Sequence, residues 1–169
     1  MSLLPHRHLA RRPRSLLLAT VLLAACVAES PAMDLNQLTD FATRYAAAWS
    51  SQDPDSLAAF YSEEGSLQVN AGAPAVGRAA VREAVEGFMT AFPDMVVRLD
   101  SVVQTGTGAT FHWTWTGTNT GPGGTGSAVR MRGYEEWTFS PDNLIARSLG
   151  HYDEAEYQRQ LRGDTPATP

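Results

Sequence analysis

The second half of the chain alternates apolar and polar residues with a period of two, which constrains the fold strongly. Four segments show the pattern: "MVVRLDSVVQT", "ATFHWTWTGT", "AVRMRGYEEWTF" and "NLIARSLGHY". Successive side chains of a strand point to opposite faces of a sheet, so each segment predicts a β-strand. Four such strands in succession predict an antiparallel meander.

The first half of the chain instead repeats its apolar residues at helical spacing, which predicts three helices. Asp34 can cap the first helix, and Asp53 can cap the short second one. The apolar positions are Leu35, Leu38, Phe41, Tyr45 and Trp49 in the first helix and Val81, Val85, Phe88, Met89 and Phe92 in the third. Helices before a meander predict an α+β domain, in which helices cover one face of a bent sheet.

Composition excludes several classes of function. The chain has 169 residues, of which 43% are hydrophobic, and this suits one globular domain. All 13 basic residues are arginine, so neither a Walker-type phosphate loop nor a Schiff-base lysine is available. The formal net charge is −5 and no basic stripe is present, so we expect no nucleic-acid partner.

Two further patterns argue against a cofactor or a metal ion. "GPGGTG", residues 121–126, matches G-x-G-x-x-G, but the next segment alternates like a strand rather than starting a helix. It therefore predicts a hairpin loop. Beyond the N-terminal leader only His112 and His151 remain as histidines, so we expect neither a metal site nor a cofactor.

The N-terminus has the pattern of an export signal. A basic front is followed by "SLLLATVLLAA", an apolar run too short to span a membrane comfortably. The run ends in "LAAC", which resembles a bacterial lipobox and implies cleavage before Cys26, the only cysteine, and its lipidation. An ordinary secretory signal is the alternative. We predict a signal peptide (1–25), a tether (26–33), one domain (34–162), a flexible tail (163–169), and a lipid-anchored protein of the bacterial envelope.

Five stretches, in this order, resemble the SnoaL-like branch of the NTF2-like superfamily, the relatives of polyketide and ester cyclases. They are "YAAAWSSQDPDSLAAFY", "GRAAVREAVEGFMTAFPD", "WTWTGTNTGP", "RGYEEWTFSPDNLI" and "GHYDEAEYQRQL". The resemblance runs from about Leu35 to Leu161. It implies an α+β cone, in which a curved antiparallel sheet wraps around the N-terminal helices and a pocket opens at the wide end.

One acidic residue lies in an otherwise apolar row of the third alternating segment. Alternation predicts that Glu135 shares a face with Met131, Gly133, Trp137 and Phe139, where an ionised carboxylate is costly to desolvate. The resemblance implies that this face lines the pocket and that Glu135 moves a proton next to a carbonyl. A structural ion pair with Arg130, Arg132 or Arg147, or exposure to water, would also account for this residue.

The other candidate site residues follow from their predicted faces. His151 reaches the pocket as a second catalytic residue if Ile145 points inward, because both then share a face; a structural histidine is the alternative. Asn119 lies where relatives often carry a histidine and could bind a ligand carbonyl; a turn residue is the alternative. The predicted ligand-binding residues are Trp49, Tyr61, Met89, Trp113, Asn119 and Trp137.

Two functions fit the predicted fold and site. One is a cofactor-free acid/base enzyme of the cyclase, isomerase or hydrolase type, acting on a hydrophobic carbonyl or epoxide compound. The other is a non-catalytic module that binds a small molecule or forms a homodimer. The dimer contact would use the outward set of His112, Thr114 and Tyr134.

Overall fold

A computed structural model describes residues 32–106 and 108–164. The leader, Cys26 and the end of the tail lie outside these ranges. Within them no helix is long and apolar enough to cross a membrane. The elements in chain order are α1 (Leu35–Ser50), α2 (Pro54–Ala58), β1 (Tyr61–Val69), β2 (Ala75–Val76), α3 (Arg78–Ala91), β3 (Val96–Thr105), β4 (Gly108–Thr118), β5 (Ala128–Phe139), β6 (Ile145–Tyr152) and α4 (Glu154–Leu161).

The predicted α+β class and the predicted meander are confirmed. A curved six-stranded sheet has the order β2-β1-β6-β5-β4-β3, and the helical segments α1 and α2 precede it. Strands β3 to β6 pair antiparallel with one another in succession, whereas β1 pairs parallel with β6. Parallel pairing is available to β1 because α3 and four strands separate it from β6 along the chain.

Side-chain caps fix where three of the helices begin, and in α2 the cap is Asp53, which accepts a hydrogen bond from the Asp55 amide at 3.1 Å. Asp34 accepts a hydrogen bond from the Gln37 amide at 2.9 Å, and the Gln37 side chain accepts one from the Asp34 amide at 2.9 Å. This capping box satisfies two backbone donors that have no partner within the helix. Asp153 accepts from the Glu156 amide at 3.0 Å and caps α4.

The core lies between the helices and the inward face of the sheet, and aromatic rings dominate it. Tyr45 of α1 packs edge-on against Trp137 of β5 with 4.9 Å between ring centroids, and Trp137 stacks on Phe111 of β4, also at 4.9 Å. Along β5 the odd-numbered residues from Val129 to Trp137 are buried or partly buried, and the even-numbered ones are exposed. The predicted alternation of this strand is therefore confirmed.

The predicted face of His151 is wrong, because β6 contains a bulge. Phe139 pairs with Ile145 and Thr138 pairs with Arg147, so Ala146 is an extra residue in this strand. An extra residue reverses the alternation that follows it. Ile145 is buried as expected, but beyond the bulge Ser148 is on the inward face and His151 on the outer face.

Candidate functional site

The carboxylate of Glu135 is held inside the core by three hydrogen bonds that end on the same oxygen. The side chain is 6% exposed. Its Oε2 accepts from Ser148 Oγ at 2.6 Å, from Tyr45 Oη at 2.9 Å and from Trp137 Nε1 at 2.9 Å. The donors come from a helix and two strands, so the folded core fixes this oxygen in one position.

Each donor reaches Glu135 for a local reason. Tyr45 lies on the buried face of α1, and Trp137 follows Glu135 by two residues on the same face of β5. Ser148 pairs with Trp137 across the β5–β6 ladder, and the bulge at Ala146 brings it to the inward face. Sequence reasoning missed Tyr45 and Ser148 as partners of the carboxylate. The helical spacing marked Tyr45 as buried, but no signal in the sequence revealed the bulge.

A second tyrosine extends this hydrogen-bond network. The hydroxyls of Tyr45 and Tyr61 are 2.9 Å apart, and both side chains are completely buried. Tyr45 uses its one hydroxyl proton on Glu135, so Tyr61 is the donor to Tyr45. The network therefore runs from Tyr61 through Tyr45 to Glu135, and each hydroxyl donates toward the carboxylate.

Burial raises the pKa of the Glu135 carboxyl above its usual range, because an apolar core disfavours the charged form. The hydrogen bonds from Ser148, Trp137 and Tyr45 stabilise the carboxylate and oppose that rise. Burial, and after it the charge of Glu135, also raises the pKa of Tyr45 and of Tyr61. Both phenols therefore stay protonated near neutral pH and remain donors.

Neither alternative explanation for Glu135 fits its surroundings. The side chain is buried, which excludes exposure to water. Arg130, Arg132 and Arg147 are all exposed, and no ion pair of the described residues includes Glu135. The carboxylate is stabilised by neutral donors instead of an arginine.

A cavity of about 60 Å³ adjoins Glu135. Among the described residues that line it, Glu135 is the only charged one. Much of the wall is aromatic, from Trp49, Phe88, Trp113, Trp115 and Tyr152. The cavity is smaller than the roughly 150 Å³ that holds benzene in an engineered protein core. It therefore has room for one end of a larger molecule.

The predicted ligand-binding residues separate into three groups. Trp49 and Trp113 line the cavity. Tyr61 and Trp137 lie beside it in the network around Glu135. Met89 is buried in the core away from the cavity wall, and Asn119 lies in the β4–β5 loop.

Asn119 has the contacts of a turn residue. Its Nδ2 donates to the Ala91 carbonyl at 3.1 Å, and its Oδ1 accepts from the Thr125 amide at 2.8 Å. These bonds tie the β4–β5 loop to the end of α3. The side chain is used in the loop and does not line the cavity, so its position fits the turn alternative for Asn119.

His151 lies across the sheet from the cavity and has surface partners. Its Nε2 is 3.0 Å from Glu136 Oε2, and its ring stacks on Tyr134 with 4.7 Å between centroids. These contacts fit the structural alternative for this histidine. The described residues contain no group of three or more histidine, cysteine or acidic side chains that could hold a metal ion.

Comparison with known proteins assigns the family. The model of the SnoaL-like domain matches residues 42–148, more than half of the chain. The chain belongs to the SnoaL-like domain family. Membership confirms the resemblance drawn from the five sequence stretches. No curated protein matches the sequence.

Solved structures show the same fold. A protein from Catenulispora acidiphila with a ketosteroid isomerase-like fold, solved with trimethylamine, is 18% identical at a TM-score of 0.66, over 77% of this chain and 98% of that one. A protein from a Jannaschia species that resembles SnoaL-like polyketide cyclases is 12% identical at a TM-score of 0.63, over 75% of this chain and 94% of that one. SalBIII, an epoxide hydrolase/cyclase-like enzyme, is 16% identical at a TM-score of 0.63, over 73% of this chain and 95% of that one. At such identities the similarity shows the fold alone.

Proposed function

We propose that this SnoaL-like protein uses Glu135 as a cofactor-free general acid/base on a small carbonyl or epoxide compound bound in the adjoining cavity. One observation carries the proposal. Glu135 lines an aromatic cavity, while the three donors that hold it all bind Oε2. Oε1 is thereby left as the oxygen that can exchange a proton with a ligand.

The donors decide which oxygen carries the proton. An indole N–H can only donate, so Trp137 keeps a donor hydrogen pointed at Oε2 whatever the charge of Glu135. Tyr45 donates to the same atom and accepts from Tyr61. An oxygen surrounded by three donors is a poor site for a fourth hydrogen. Protonated Glu135 therefore carries its hydrogen on Oε1, and ionised Glu135 accepts a proton there.

The chemistry follows from an acid whose pKa is raised above its usual range. Ionised Glu135 removes a proton from a carbon next to a carbonyl, and the electron pair of that C–H bond moves into an enolate. Protonated Glu135 then returns the hydrogen to another carbon or to an alkoxide, which completes an isomerisation or a ring closure. The cyclase-like protein and the epoxide hydrolase/cyclase-like enzyme among the structural neighbours lend this class of reaction support.

Exchange of α-hydrogen for deuterium tests the proposal without knowledge of the natural substrate. Small ketones such as butanone are incubated with the full-length protein in D2O, and NMR follows the loss of the α-proton signal. We expect Glu135→Gln to slow the exchange about 10²- to 10⁴-fold, the usual effect of a general acid or base. Glu136→Gln is the matched control, because Glu136 is the next residue on β5 and is exposed on the opposite face. Equal rates for Glu135→Gln and the wild type would overturn the role of Glu135.

Non-catalytic binding is the second candidate, and the aromatic wall favours it. Aromatic faces around one carboxylate suit a small organic cation as well as a neutral compound. This module would bind tetramethylammonium, lose that binding in Glu135→Gln and leave every ketone unlabelled in D2O. Exchange at a ketone that depends on Glu135 would exclude it.

Two further proposals concern the placement of the molecule. The "LAAC" pattern and the lack of any other cysteine support lipidation of Cys26 and anchoring in a bacterial envelope. The outer sheet face supports a homodimer, because Tyr134 is 38% exposed there between His112 and His151. Thr114 is a weaker candidate for that contact, since it is buried and donates to Asp100 at 2.7 Å.

A further inference from the structure

Two hydrogen-bond donors in the cavity wall have no acceptor among the residues that the structure describes. The Nε1 atoms of Trp113 and Trp115 are buried and make no hydrogen bond to any described residue. An indole nitrogen can only donate, and buried donors are nearly always paired because an unpaired one is costly. Trp137 follows that rule, since its Nε1 donates to Glu135 at 2.9 Å. The two unpaired groups therefore need an explanation.

Both unpaired indoles border the same cavity as Glu135. Trp113 and Trp115 are alternate residues of β4, so they share the inward face, and both line the cavity. The Trp113 ring lies across Gly133 of β5: a Cβ atom at Gly133 would be 2.4 Å from Cζ2 of that ring. Cζ2 belongs to the edge of the indole that carries Nε1. The Trp113 ring therefore lies over the inward face of β5, the face that also bears Glu135.

We propose that the indole N–H groups of Trp113 and Trp115 donate hydrogen bonds to a carbonyl oxygen of the ligand. This assigns the ligand class as a small neutral compound with a carbonyl group. Its remainder leaves through the cavity mouth, where Val69, Val97 and Tyr152 are partly exposed. The inference rests on the proposed function and deepens it, because Glu135 then faces the carbon next to the carbonyl. Fixed N–H donors would also stabilise the negative oxygen of an enolate as it forms.

This assignment excludes other chemical classes by their hydrogen bonding. A hydrocarbon or an organic cation has no acceptor and would leave both N–H groups unpaired. A carboxylate would accept from them, but it would place a second negative charge beside Glu135. A neutral carbonyl satisfies the two donors without that repulsion. Trp113 and Trp115 therefore determine specificity.

NMR of the indole N–H signals tests the proposal directly. The chain has four tryptophans, so ¹⁵N-labelled full-length protein gives four indole signals, assigned by substitution. The probes are butanone and 2-methyl-1-butene, which has a methylene group in place of the carbonyl oxygen. We expect butanone to shift the signals of Trp113 and Trp115 downfield, while that of Trp137 stays close to its original position. Equal shifts with both probes, or no response of Trp113 and Trp115 to butanone, would overturn the proposal.

A shape-conserving substitution gives a second, independent readout. Replacing Trp113 or Trp115 by β-(3-benzothienyl)alanine keeps the fused ring and removes the N–H. We expect each replacement to reduce the preference for butanone over the alkene about fivefold, the usual effect of one lost hydrogen bond. Thermal unfolding should change little, because no bond within the protein is lost. An unchanged preference would mean that the indoles serve packing alone.

The two proposals fail in different ways. If Glu135 transfers no proton, deuterium exchange is absent while the indole signals still respond to butanone. If the indoles do not bind the carbonyl, exchange can still depend on Glu135 while the benzothienyl variants keep their ligand preference. Each set of measurements therefore reports on its own residues.

Discussion

Ser148, Tyr45 and Trp137 favour the ionised form of Glu135, whereas the surrounding core favours the neutral form. Burial is the larger influence, so the pKa of this carboxyl lies above its usual value. The folded protein then binds a proton more tightly at Glu135 than the unfolded chain does. This contribution to stability is fully present below the unfolded pKa and is lost as pH rises through the folded one. The apolar core therefore disfavours Glu135 most at high pH, where the carboxyl is ionised. The three hydrogen bonds contribute most to stability under that condition.

Replacing Ser148 by alanine should expose this balance. Ser148 forms the shortest of the three bonds, 2.6 Å, and a hydrogen bond to a charged group contributes about 1.5–3 kcal/mol. We expect Ser148→Ala to lower the free energy of unfolding by about that amount at pH 8 and by less at pH 4, where the carboxyl is neutral. Urea unfolding at the two pH values measures the difference. Ser101→Ala is the control, because Ser101 is an exposed strand serine.

A loss that is equal at both pH values would contradict an ionisable partner for Ser148.

For single residues, the sequence predicted the burial of Glu135 but not the identity of its hydrogen-bond partners. The apolar row around Glu135 predicted that it is buried. Its partners could not be predicted, because Tyr45 is 90 residues away along the chain and contacts it only through packing of α1 on the sheet.

At the level of strands and helices, register decides which residues meet. The four predicted strands match β3 to β6 closely, because period-two alternation records which face of a strand is buried. The bulge at Ala146 leaves no such record, because the residues beyond it do not follow the apolar pattern: Ser148 lies on the inward face and the apolar Leu149 on the outer face. Its effect is to turn Ser148 inward and His151 outward. For this reason the strands of the site were predicted while one proposed catalytic residue was assigned to the wrong face.

Gly133 connects the packing of β5 to the shape of the cavity. A Cβ atom there would be 2.3 Å from the carbonyl oxygen of His151 and 2.4 Å from the Trp113 ring. We expect Gly133→Ala to destabilise the protein by about 1–3 kcal/mol, because the neighbouring backbone and ring must shift. Thermal or urea unfolding measures this, and cavity binding of butanone should weaken in parallel.

Gly87 supplies the control for that substitution. It lies on the exposed face of α3, and no atom is within 4 Å of the position of a new Cβ. Gly87→Ala should therefore stabilise the protein by about 0.5–1 kcal/mol, as alanine does in a helix. If the two variants change stability in the same direction, crowding at Gly133 is not the cause of the stability change in Gly133→Ala.

On the scale of the whole molecule, the proposals about anchoring and pairing can be tested with one set of samples. The full-length protein is produced in a bacterial host with an alkyne-bearing fatty acid. We expect the wild type to carry the label and to be found in the membrane fraction. We expect Cys26→Ser to be unlabelled and released from the membrane, because lipid on Cys26 is the proposed anchor. A labelled or membrane-bound Cys26→Ser variant would contradict this.

The released Cys26→Ser protein then reports on pairing. Analytical ultracentrifugation should give a dimer, and adding Tyr134→Asp should give a monomer, because a charge would be buried in the proposed sheet contact. Val76→Asp is the matched control, since Val76 is also exposed but lies on edge strand β2. Sedimentation of Cys26→Ser as a monomer at all concentrations would exclude the dimer.

The three donors on Oε2 have a stereochemical consequence. A carboxyl that can turn about its last bond can deliver hydrogen to either side of a flat intermediate. Glu135 is prevented from turning, because one of its oxygens is held from a helix and two strands. A proton carried by Oε1 would then arrive at one side of a planar enolate only, and deuterium introduced at a prochiral carbon would appear with a single handedness.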